Sequence, residues 1–435
     1  MNLLTANDRD GQYPDSWYAA TATPLAPFAP LKGVVRADVC VVGGGYTGLS
    51  AALHLAQMDR DVVLIDAQRV GFGASGRNGG QLGSGQRVDQ IELERLLGTA
   101  HAAQLWEMAE ATKSLVKALI KKHEIDCYLR PGVLHAASNA RSLREELAYA
   151  EHLERVYGYT ELETLDKDAL QSVCRSPDYL GGVLDRGAAH LHPLRYALGL
   201  ARAADQAGVR IFEGTMAQQI EERPEKVAVR TDAGAIEAQH VILACNGYLG
   251  ALNDQVAGHV MPINNFIAAT EPLGDRVADV LPRDVAVADD RFVVNYFRLS
   301  HDGRLLFGGG ESYGYRFPRD IGAVVRKPLS RVFPQLKDIP FDYTWGGTLA
   351  ITLRRLPYLA RPGQRILSAS GYSGHGVGNA THAGLLMAQA VAGDAEGFDT
   401  MSAIPARRFP GGAALRSPLL VLAMTWYSLR DRLGL

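Results

Sequence analysis

The chain has 435 residues, which is long enough for two domains of ordinary size. Its formal net charge of -2 gives no reason to expect nucleic acid or an anionic membrane surface as a partner, because both select for excess positive charge. The four cysteines form no CxxC pair, so we expect neither a metal site nor a disulfide framework, and a reduced, cytoplasmic chain fits best. The first residues carry charges where a signal peptide needs an apolar core, and the apolar stretch at 418–424 is too short to span a bilayer.

A βαβ unit is predicted near the N-terminus. Residues 38–42 are almost continuously apolar and β-branched, which is typical of a buried parallel strand. A glycine-rich turn, GGGYTG at 43–48, follows this strand, and an Ala- and Leu-rich helix continues over 49–57. A second buried strand at 61–65 ends in Asp66. Strand, glycine turn, helix, strand and acid in this order are the pattern of a dinucleotide-binding unit.

The turn suits a pyrophosphate for physical reasons. Gly43 permits the tight turn, Gly45 lets backbone N–H groups reach the phosphates, and Gly48 lets the helix pack against the strand. The N-terminus of the helix then stabilises the phosphate charge. Asp66 would accept hydrogen bonds from ribose hydroxyls, whereas it would repel a 2′-phosphate.

The turn alone does not separate FAD from NAD, and the next segment favours FAD. Residues 69–81, RVGFGASGRNGGQ, are too polar and glycine-rich to continue the sheet as an ordinary helix. An NAD domain usually needs no second glycine-rich loop after the ribose acid. A flavin does need one, because its ribityl chain and ring must pass beyond the first domain. The alternative for the whole unit is a structural βαβ that binds no ligand.

Helices and strands continue to alternate along the chain. Helical patterns are predicted at about 91–122, 140–157 and 198–206. A second glycine-rich strand–turn–helix unit is predicted at 366–392. The remaining predicted strands lie at 208–212, 226–231, 235–240, 241–247, 265–270, 292–299 and 304–308.

This order predicts an α/β fold in which an FAD-binding Rossmann-like domain is interleaved in sequence with a second, β-rich (α+β) substrate domain. Residues 1–36 are expected to form an N-terminal arm. The predicted FAD-binding domain comprises 37–90, 150–255 and 345–435, and the predicted substrate domain comprises 91–149 and 256–344.

Four segments carry a resemblance to a known family. They are CVVGGGYTGLSAALHLA at 40–56, GFGASGRNGGQ at 71–81, GYSGHGV at 371–377 and YSLRDRLG at 427–434. The sequence resembles the D-amino-acid-oxidase-like superfamily of FAD-dependent amine oxidases, which includes glycine oxidase and sarcosine oxidase. Within that superfamily it is most similar to the gamma-glutamylputrescine oxidase subfamily, nearly from end to end.

The resemblance implies which residues bind FAD. Near the pyrimidine side of the flavin, a helix N-terminus and backbone donors would stabilise the negative charge that develops on reduction. Independently of the family, the glycines before the helix at about 376 indicate a ligand-facing helix start, the alternative being an ordinary glycine-rich loop. The implied cofactor residues are Gly43, Gly45, Tyr46, Thr47, Gly48, Asp66, Ala67, Ser75, Gly76, Arg77, Asn78, Gly79, Gln81, Ala217, Ala244, Asn246, Gly374, His375, Gly376 and Val377.

Two positions depart from the sarcosine oxidases that the chain resembles. Gly347 stands where those enzymes attach the flavin through a cysteine, so we expect FAD to be bound noncovalently. Leu306 stands where monomeric sarcosine oxidase places a lysine that helps to activate oxygen. The resemblance implies O2 as electron acceptor, and the missing lysine keeps a quinone acceptor open.

The implied reaction is hydride transfer from the carbon next to an amine nitrogen to flavin N5, which gives an imine that hydrolyses. Strand alternation would put Tyr296 and Arg298 on one face, where Arg298 could hold a carboxylate, unless it is a surface arginine. Arg355 matches a Thr-x-x-Arg-x-Pro stretch of related oxidases, and His375 lies near the ring by analogy. These four residues are the candidate catalytic and substrate-binding residues.

The resemblance implies a small amine or amino acid as substrate, with gamma-glutamylputrescine or a related gamma-glutamyl polyamine as the leading hypothesis. A small N-substituted glycine such as iminodiacetate or sarcosine, or glycine itself, is the alternative, because Arg298 and Arg355 could bind two carboxylates. A quinone-linked flavin dehydrogenase and a colourless NAD-binding protein are further alternatives. We expect a monomer or a small homo-oligomer.

Overall fold

The structure of the protein is a computed structural model that describes residues 2–312 and 314–410. The apolar stretch 418–424 and the sequence motif 427–434 lie outside these residues.

Within the described part of the chain the strands are β1 (Gly33–Val42), β2 (Val62–Ile65), β3 (Gln81–Leu82), β4 (Arg130–Ala137), β5 (Leu162–Leu165), β6 (Gly181–His190), β7 (Arg210–Phe212), β8 (Gln219–Glu222), β9 (Val227–Arg230), β10 (Gly234–Leu243), β11 (Met261–Thr270), β12 (Ala286–Asp289), β13 (Tyr296–Leu299), β14 (Leu305–Ser312), β15 (Phe341–Ile351), β16 (Tyr358–Ala360) and β17 (Ile366–Ser370). The α-helices are α1 (Trp17–Thr21), α2 (Tyr46–Gln57), α3 (Gln90–Leu97), α4 (Thr99–Lys122), α5 (Ala140–Tyr157), α6 (Lys167–Leu170), α7 (Pro193–Gln206), α8 (Asp254–His259), α9 (Ile321–Val332), α10 (Gly376–Ala392) and α11 (Glu396–Ser402). None of these helices is both long and apolar enough to cross a membrane.

The first sheet has the strand order β16-β17-β10-β1-β2-β7. Its five strands from β17 to β7 run parallel, β16 is antiparallel to β17, and β8 and β9 form a hairpin beside the start of β10. Successive residues of β1 face opposite sides of the sheet, because side chains alternate along a strand. Val39 and Val41 pack into the core that contains α2, α4, α7 and α10, whereas Cys40 and Val42 pack into the core on the other side. Burial on both faces explains why the sequence of this strand is continuously apolar.

The second sheet has the order β15-β11-β14-β13-β12-β4-β6-β3, with β5 paired to β6. It is mostly antiparallel, and β12 with β4 forms its parallel pair. Helix α9 covers one face through a separate apolar core that includes Phe266, Phe297, Phe307 and Phe333. The predicted fold class, an α/β dinucleotide-binding unit with a β-rich second unit, is confirmed.

The sheets divide the chain differently from the predicted domain boundaries. Strands β5 and β6 pair in the second sheet, although 150–255 was expected in the FAD-binding domain. Strand β15 likewise pairs with β11 in the second sheet, although its last residues were expected in the first domain. An apolar strand has the same sequence pattern in either sheet, so pairing partners that are distant in sequence decide where it lies.

The predicted N-terminal arm packs onto the body through aromatic side chains. Trp17 and Tyr18 are fully buried. The Trp17 ring lies 5.1 Å from that of His192, and the Tyr18 ring lies 5.1 Å from that of Trp345 in an edge-to-face arrangement. These contacts hold the arm against two widely separated strands of the second sheet, because His192 follows β6 and Trp345 lies within β15.

Helices α2 and α10 approach so closely that a glycine is required between them. A methyl group on Gly384 of α10 would lie 2.4 Å from the carbonyl oxygen of Thr47 and 2.7 Å from Cβ of Ser50, both in α2. We therefore expect Gly384→Ala to lower the free energy of unfolding by about 1–3 kcal/mol, because the packing strain exceeds the gain of about 1 kcal/mol in helix propensity. Urea unfolding of the apoprotein, followed by circular dichroism, measures this change.

Gly322→Ala is the matched control in another helix. Its added methyl would lie 3.2 Å from the Asp320 carboxylate, 3.5 Å from the Phe341 ring and 3.7 Å from Cγ2 of Thr344, all of them side-chain atoms at longer distances than those around Gly384. We expect this variant to unfold at the wild-type urea concentration or slightly above it. Equal stabilities of the Gly384 and Gly322 variants would contradict the packing argument.

Candidate active site

A cavity of about 1920 Å³ is lined by residues of both sheets. It exceeds the roughly 300–1,000 Å³ of a pocket for one drug-sized ligand, so it has room for a dinucleotide and a second small molecule. The predicted site residues that line it are Gly43, Gly45, Tyr46, Thr47, Asp66, Ala67, Ser75, Arg77, Asn78, Gly79, Gln81, Ala217, Ala244, Asn246, Tyr296, Arg355, Gly374, His375, Gly376 and Val377. Gly48, Gly76 and Arg298 do not line it.

The dinucleotide turn is shaped by close backbone contacts. Gly43 has a φ of +112°, and a methyl group there would lie 2.8 Å from the carbonyl oxygen of Ala244. A methyl on Gly48 would lie 1.8 Å from the carbonyl oxygen of Gly43, so Gly48 packs behind the turn and does not face a ligand. The backbone N–H of Tyr46, at the start of α2, donates to Ser75 Oγ over 3.0 Å. The first N–H groups of α2 therefore face the cavity wall, where a phosphate can bind.

Asp66 closes the edge of this turn. Its carboxylate accepts hydrogen bonds from the backbone N–H of Gly44 at 2.6 Å and of Gln68 at 2.7 Å. Burial raises the pKa of Asp66 to about 6, although both N–H donors act in the opposite direction. The carboxylate thus organises the turn directly and also lines the cavity, where a ribose hydroxyl can reach it.

The second glycine-rich loop folds back on itself. The side-chain amide of Asn78 donates to the carbonyl oxygens of Ala74 and Ser75, both at 3.0 Å, and its oxygen accepts from the backbone N–H of Gly80 at 2.8 Å. A methyl on Gly76 would lie 2.1 Å from the carbonyl oxygen of Gly71, which explains why Gly76 supports the loop from behind. These contacts fix the loop along one wall of the cavity.

Arg77 is a buried cation in which one of the three guanidinium nitrogens has no hydrogen-bond partner among the described residues. Its Nη1 donates to Asp8 of the arm at 2.9 Å and to the Gly346 carbonyl at 3.2 Å, and its Nε donates to the Phe72 carbonyl at 2.6 Å. Its Nη2 is buried and has no hydrogen-bond partner among the described residues. A buried donor without a partner is costly, so this nitrogen indicates a ligand in the cavity.

The start of α10 lines the cavity beside the start of α2. The Tyr372 and Thr47 hydroxyls lie 2.7 Å apart and join this segment to α2. The imidazole of His375, at the N-cap of α10, lines the cavity. Burial lowers the pKa of His375 to about 3, and the nearby charges of Arg87 and His135 lower it further. His375 is therefore neutral at physiological pH.

Tyr296 and Arg298 do not share a role. The Tyr296 ring lines the cavity and packs so close to Gly79 and Gly308 that a methyl on either would overlap it. Its hydroxyl donates to Asn265. Arg298 is buried outside the cavity, where it donates to the carbonyl oxygens of Gly79 at 3.0 Å and Leu299 at 3.1 Å. Arg298 is therefore not placed to bind a substrate carboxylate, and it supports the flavin loop through Gly79.

Comparisons with known proteins agree with this geometry. A family model described as FAD dependent oxidoreductase (DAO) matches residues 38–390. The chain belongs to this family of FAD-dependent oxidoreductases. It is 43% identical to the probable oxidoreductase OrdL of Rhizobium meliloti (strain 1021), over 96% of the chain and 97% of that protein. It is 42% identical to gamma-glutamylputrescine oxidoreductase of Escherichia coli (strain K12), over 97% of the chain and 99% of that protein. The crystal structure of glycine oxidase from Geobacillus kaustophilus has the same fold, with a TM-score of 0.69 at 22% identity, over 82% of this chain and 95% of that one.

The residues present fit FAD. The turn glycines leave space that a side chain would fill, the start of α2 offers backbone N–H groups, and the buried Nη2 of Arg77 needs an acceptor. Pyrophosphate oxygens and the carbonyl oxygens of a flavin are acceptors of this kind. The cavity is lined both by the glycine turn and by Tyr296 and His375, and its volume of about 1920 Å³ leaves room for this extended cofactor.

Several charged residues of this flavoenzyme were missed by the sequence predictions. Arg87, Asp89, Glu146 and Asp290 all line the cavity, and Arg87 donates to the carbonyl oxygen of Ser373 beside the start of α10. Arg87 and Asp89 follow the second glycine-rich loop within a few residues. This proximity in sequence is the signal that could have indicated that they line the cavity. Glu146 lies within a helix whose exposed face is rich in charge, and the sequence alone does not distinguish it from its neighbours.

Asp66→Asn is expected to weaken FAD binding about 10- to 100-fold, because one hydrogen bond to a charged group contributes about 1.5–3 kcal/mol. The amide puts an NH2 group against one of the two backbone donors, Gly44 or Gln68. Quenching of FAD fluorescence on titration with apoprotein measures the dissociation constant. Asp59→Asn, at an exposed position in the turn after α2, is the control. A dissociation constant within twofold of wild type would contradict this role.

The same titration has a predicted pH dependence. Because the pKa of Asp66 is raised to about 6, the carboxyl takes up a proton as the pH falls through 6. Protonation removes accepting capacity, so FAD affinity is expected to be full above pH 7 and to decrease toward pH 5. The Asn variant lacks this step.

The flavin is expected to be bound noncovalently. Gly347 has no nucleophile, and burial raises the pKa of the cavity-lining Cys245 to about 12, so its thiol is not ionised at neutral pH. Acid precipitation should release all FAD into the supernatant, with Cys245→Ser behaving identically. A yellow pellet, fluorescent on a denaturing gel, would overturn this expectation.

Proposed function

We propose that this protein oxidises the carbon–nitrogen bond of gamma-glutamylputrescine or a related gamma-glutamyl polyamine. The observation that carries the proposal is the similarity, over 97% of the chain, to an Escherichia coli protein named gamma-glutamylputrescine oxidoreductase. The cavity supports it, because one end is lined by the predicted flavin residues and the other by residues of both charges. A long, flexible amine with a charged head matches such a cavity.

FAD supplies the hydride acceptor in this reaction. The N-terminus of α2 would hold the pyrophosphate, Asp66 would accept from the ribose, and the loop containing Gly79 would contact the flavin. The Gly79 carbonyl is held by Arg298, and that arginine also donates to the carbonyl oxygen of Leu299. These chain segments would thereby orient the cofactor relative to the substrate carbon that reacts.

Tyr296 and His375 border the space for the reacting amine. The neutral imidazole of His375 can hydrogen-bond the amine, but with a pKa of about 3 it does not act as a base at neutral pH. Loss of hydride leaves positive charge on the substrate, and a cation close to it would oppose that change. An uncharged histidine and a tyrosine satisfy this requirement, so they orient the substrate and the cofactor carries the chemistry.

A small N-substituted glycine is the second candidate substrate. Arg87 and Arg355 line the cavity, and neither forms an ion pair with a carboxylate of a described residue. Two cations in this state favour an acidic substrate. The carboxylates of Asp89 and Glu146 line the same end, and they would repel a dianion such as iminodiacetate. The mixture of charges therefore favours the gamma-glutamyl amine.

O2, reduced to H2O2, is the proposed electron acceptor. Leu306 is buried in the apolar core and does not line the cavity, so it brings no charge to the flavin. Arg77 lines the cavity and is ion-paired with Asp8. A quinone acceptor stays the alternative that the experiment must separate.

A peroxide-coupled assay tests the proposal on the FAD-loaded protein. We expect kcat/KM for gamma-glutamylputrescine to exceed that for iminodiacetate, sarcosine, glycine and free putrescine at least tenfold. A higher value for iminodiacetate would favour the second candidate. Anaerobic bleaching of the flavin by gamma-glutamylputrescine, followed by mixing with air, separates the acceptors, because slow reoxidation without peroxide would exclude the oxidase. No bleaching by any of these amines would contradict amine oxidation.

A further inference from the structure

We infer that the end of the cavity formed by Arg87, Asp89, Glu146 and Arg355 binds an α-amino-acid head group, with the arginines holding its carboxylate and the acids its ammonium. We call this end the head-group subsite. The inference rests on the proposed function, in which the opposite end of the substrate reacts at the flavin. It names four specificity-determining side chains, from three separate chain segments.

The arginines of the cavity fall into two classes. Four arginines line it: Arg77, Arg87, Arg291 and Arg355. Arg77 is paired with Asp8 at 2.9 Å, and Arg291 is paired with Asp178 at 2.5 Å and with Asp289. Arg87 and Arg355 make no ion pair with any described residue. The two arginines of the head-group subsite are thus the ones whose charge is left for a ligand.

The two free guanidinium groups are nevertheless held in place. Arg87 donates through Nε to the carbonyl oxygen of Ser373 at 3.2 Å, and neither Nη atom has an acceptor among the described residues. The Arg355 guanidinium lies over the Phe292 ring at 4.6 Å. The two segments are joined, because the Ser373 hydroxyl accepts from the backbone N–H of Thr352, three residues before Arg355. Burial lowers the pKa of Arg87, and the charge of Arg355 lowers it further. Two guanidinium groups that line one cavity in this way suit a carboxylate.

The carboxylates show the same pattern. Glu145 is paired with Arg141 at 2.8 Å and Asp289 with Arg291, whereas Asp89 and Glu146 make no ion pair and no side-chain hydrogen bond with a described residue. Burial raises the pKa of Glu146, the charge of His135 acts in the opposite direction, and the charges of Asp89 and Asp290 raise it further. Asp290 also lines the cavity, and its buried Oδ1 has no partner among the described residues. His135 lines the cavity and lowers the pKa of both Asp89 and Glu146, but it forms no ion pair with either, so both carboxylates can accept from a ligand.

The opposite charges stand apart instead of pairing with each other. Arg87 and Asp89 influence each other electrostatically but are not within ion-pair distance, and Glu146 is influenced by His135 and Asp89 without an ion pair to a described residue. Space between unpaired charges of both signs suits a ligand that is itself a zwitterion. A dianion would meet Asp89 and Glu146, and a dication such as free putrescine would meet both arginines. No group of three metal-ligating side chains is present in the described part of the chain, so the acids are not arranged for a metal ion.

Three substrates and two variants test the head-group subsite in the FAD-loaded enzyme. Gamma-glutamylputrescine is compared with N-glutarylputrescine, which lacks the α-ammonium, and with N-(4-aminobutanoyl)putrescine, which lacks the α-carboxylate. Glu146→Gln should reduce kcat/KM for the parent about 10- to 100-fold, mainly through KM, and leave N-glutarylputrescine within twofold. Arg87→Met should reduce kcat/KM for the parent similarly and leave the aminobutanoyl compound within twofold.

Glu154→Gln and Arg144→Met are the matched controls. Both residues are exposed on helix α5 and neither lines the cavity, so both variants should behave as wild type with all three substrates. Equal losses with the parent and the truncated substrates would overturn the proposal, because a general distortion of the cavity does not distinguish them. Unchanged KM for the parent in Glu146→Gln and Arg87→Met would overturn it as well.

A binding measurement separates failure of the subsite from failure of the proposed function. Gamma-glutamylbutylamide has the head group but no terminal amine to oxidise. It should perturb the flavin absorption spectrum with a dissociation constant about 10- to 100-fold lower for wild type than for Glu146→Gln. Such binding supports the subsite even if no amine is turned over. Absence of binding to wild type would overturn the subsite even if gamma-glutamylputrescine is oxidised.

Discussion

The cofactor site depends on two helices that begin at the same cavity wall and are held together at their first turns. Helices α2 and α10 approach closely at Gly384, and the Thr47 and Tyr372 hydroxyls join their starts. Each helix N-terminus is equivalent to about +0.5 elementary charge. Two such dipoles aimed at one cavity favour phosphate and a flavin that becomes negative on reduction. Because β1 and β17 lead into these helices, the order of the first sheet follows from the same requirement.

The sequence predicted this part of the fold because its glycines mark positions where no other residue fits the backbone. The positive φ of Gly43 and the contact at Gly48 leave no room for a side chain, so the motif and the geometry correspond directly. The second sheet was harder to predict, because its register depends on partners distant in sequence. Arg298 is an example of a prediction that was wrong for this reason. Strand alternation placed its side chain with that of Tyr296, but Arg298 lies outside the cavity and contacts the second glycine-rich loop at Gly79. Glu146 could not be identified from the sequence, because only the tertiary structure brings this helix residue to the cavity wall.

The N-terminal arm is part of the cofactor site. Asp8 neutralises the buried Arg77, and the Tyr18 hydroxyl accepts from Arg298 at 3.3 Å. Both arginines contact the glycine loop along which the flavin is proposed to lie. Without the arm, Arg77 would be a buried cation without its counter-ion, which is strongly destabilising. The burial of Trp17 and Tyr18 is therefore coupled to the electrostatics of the cavity. The sequence indicated that these aromatic residues attach the arm, but it did not indicate the ion pair that the arm makes with Arg77.

The proposed reaction depends on how charge is compensated around the predicted flavin position. Arg77 is compensated there by Asp8, and His375 is uncharged because burial holds its pKa near 3. Arg87 lies close to His375 and makes no ion pair with a described residue. An amine that loses hydride becomes more positive, so an uncompensated cation beside it would raise the barrier. A substrate carboxylate bound by Arg87 would remove this penalty, which is a physical reason for an acidic head group on the substrate in this cavity.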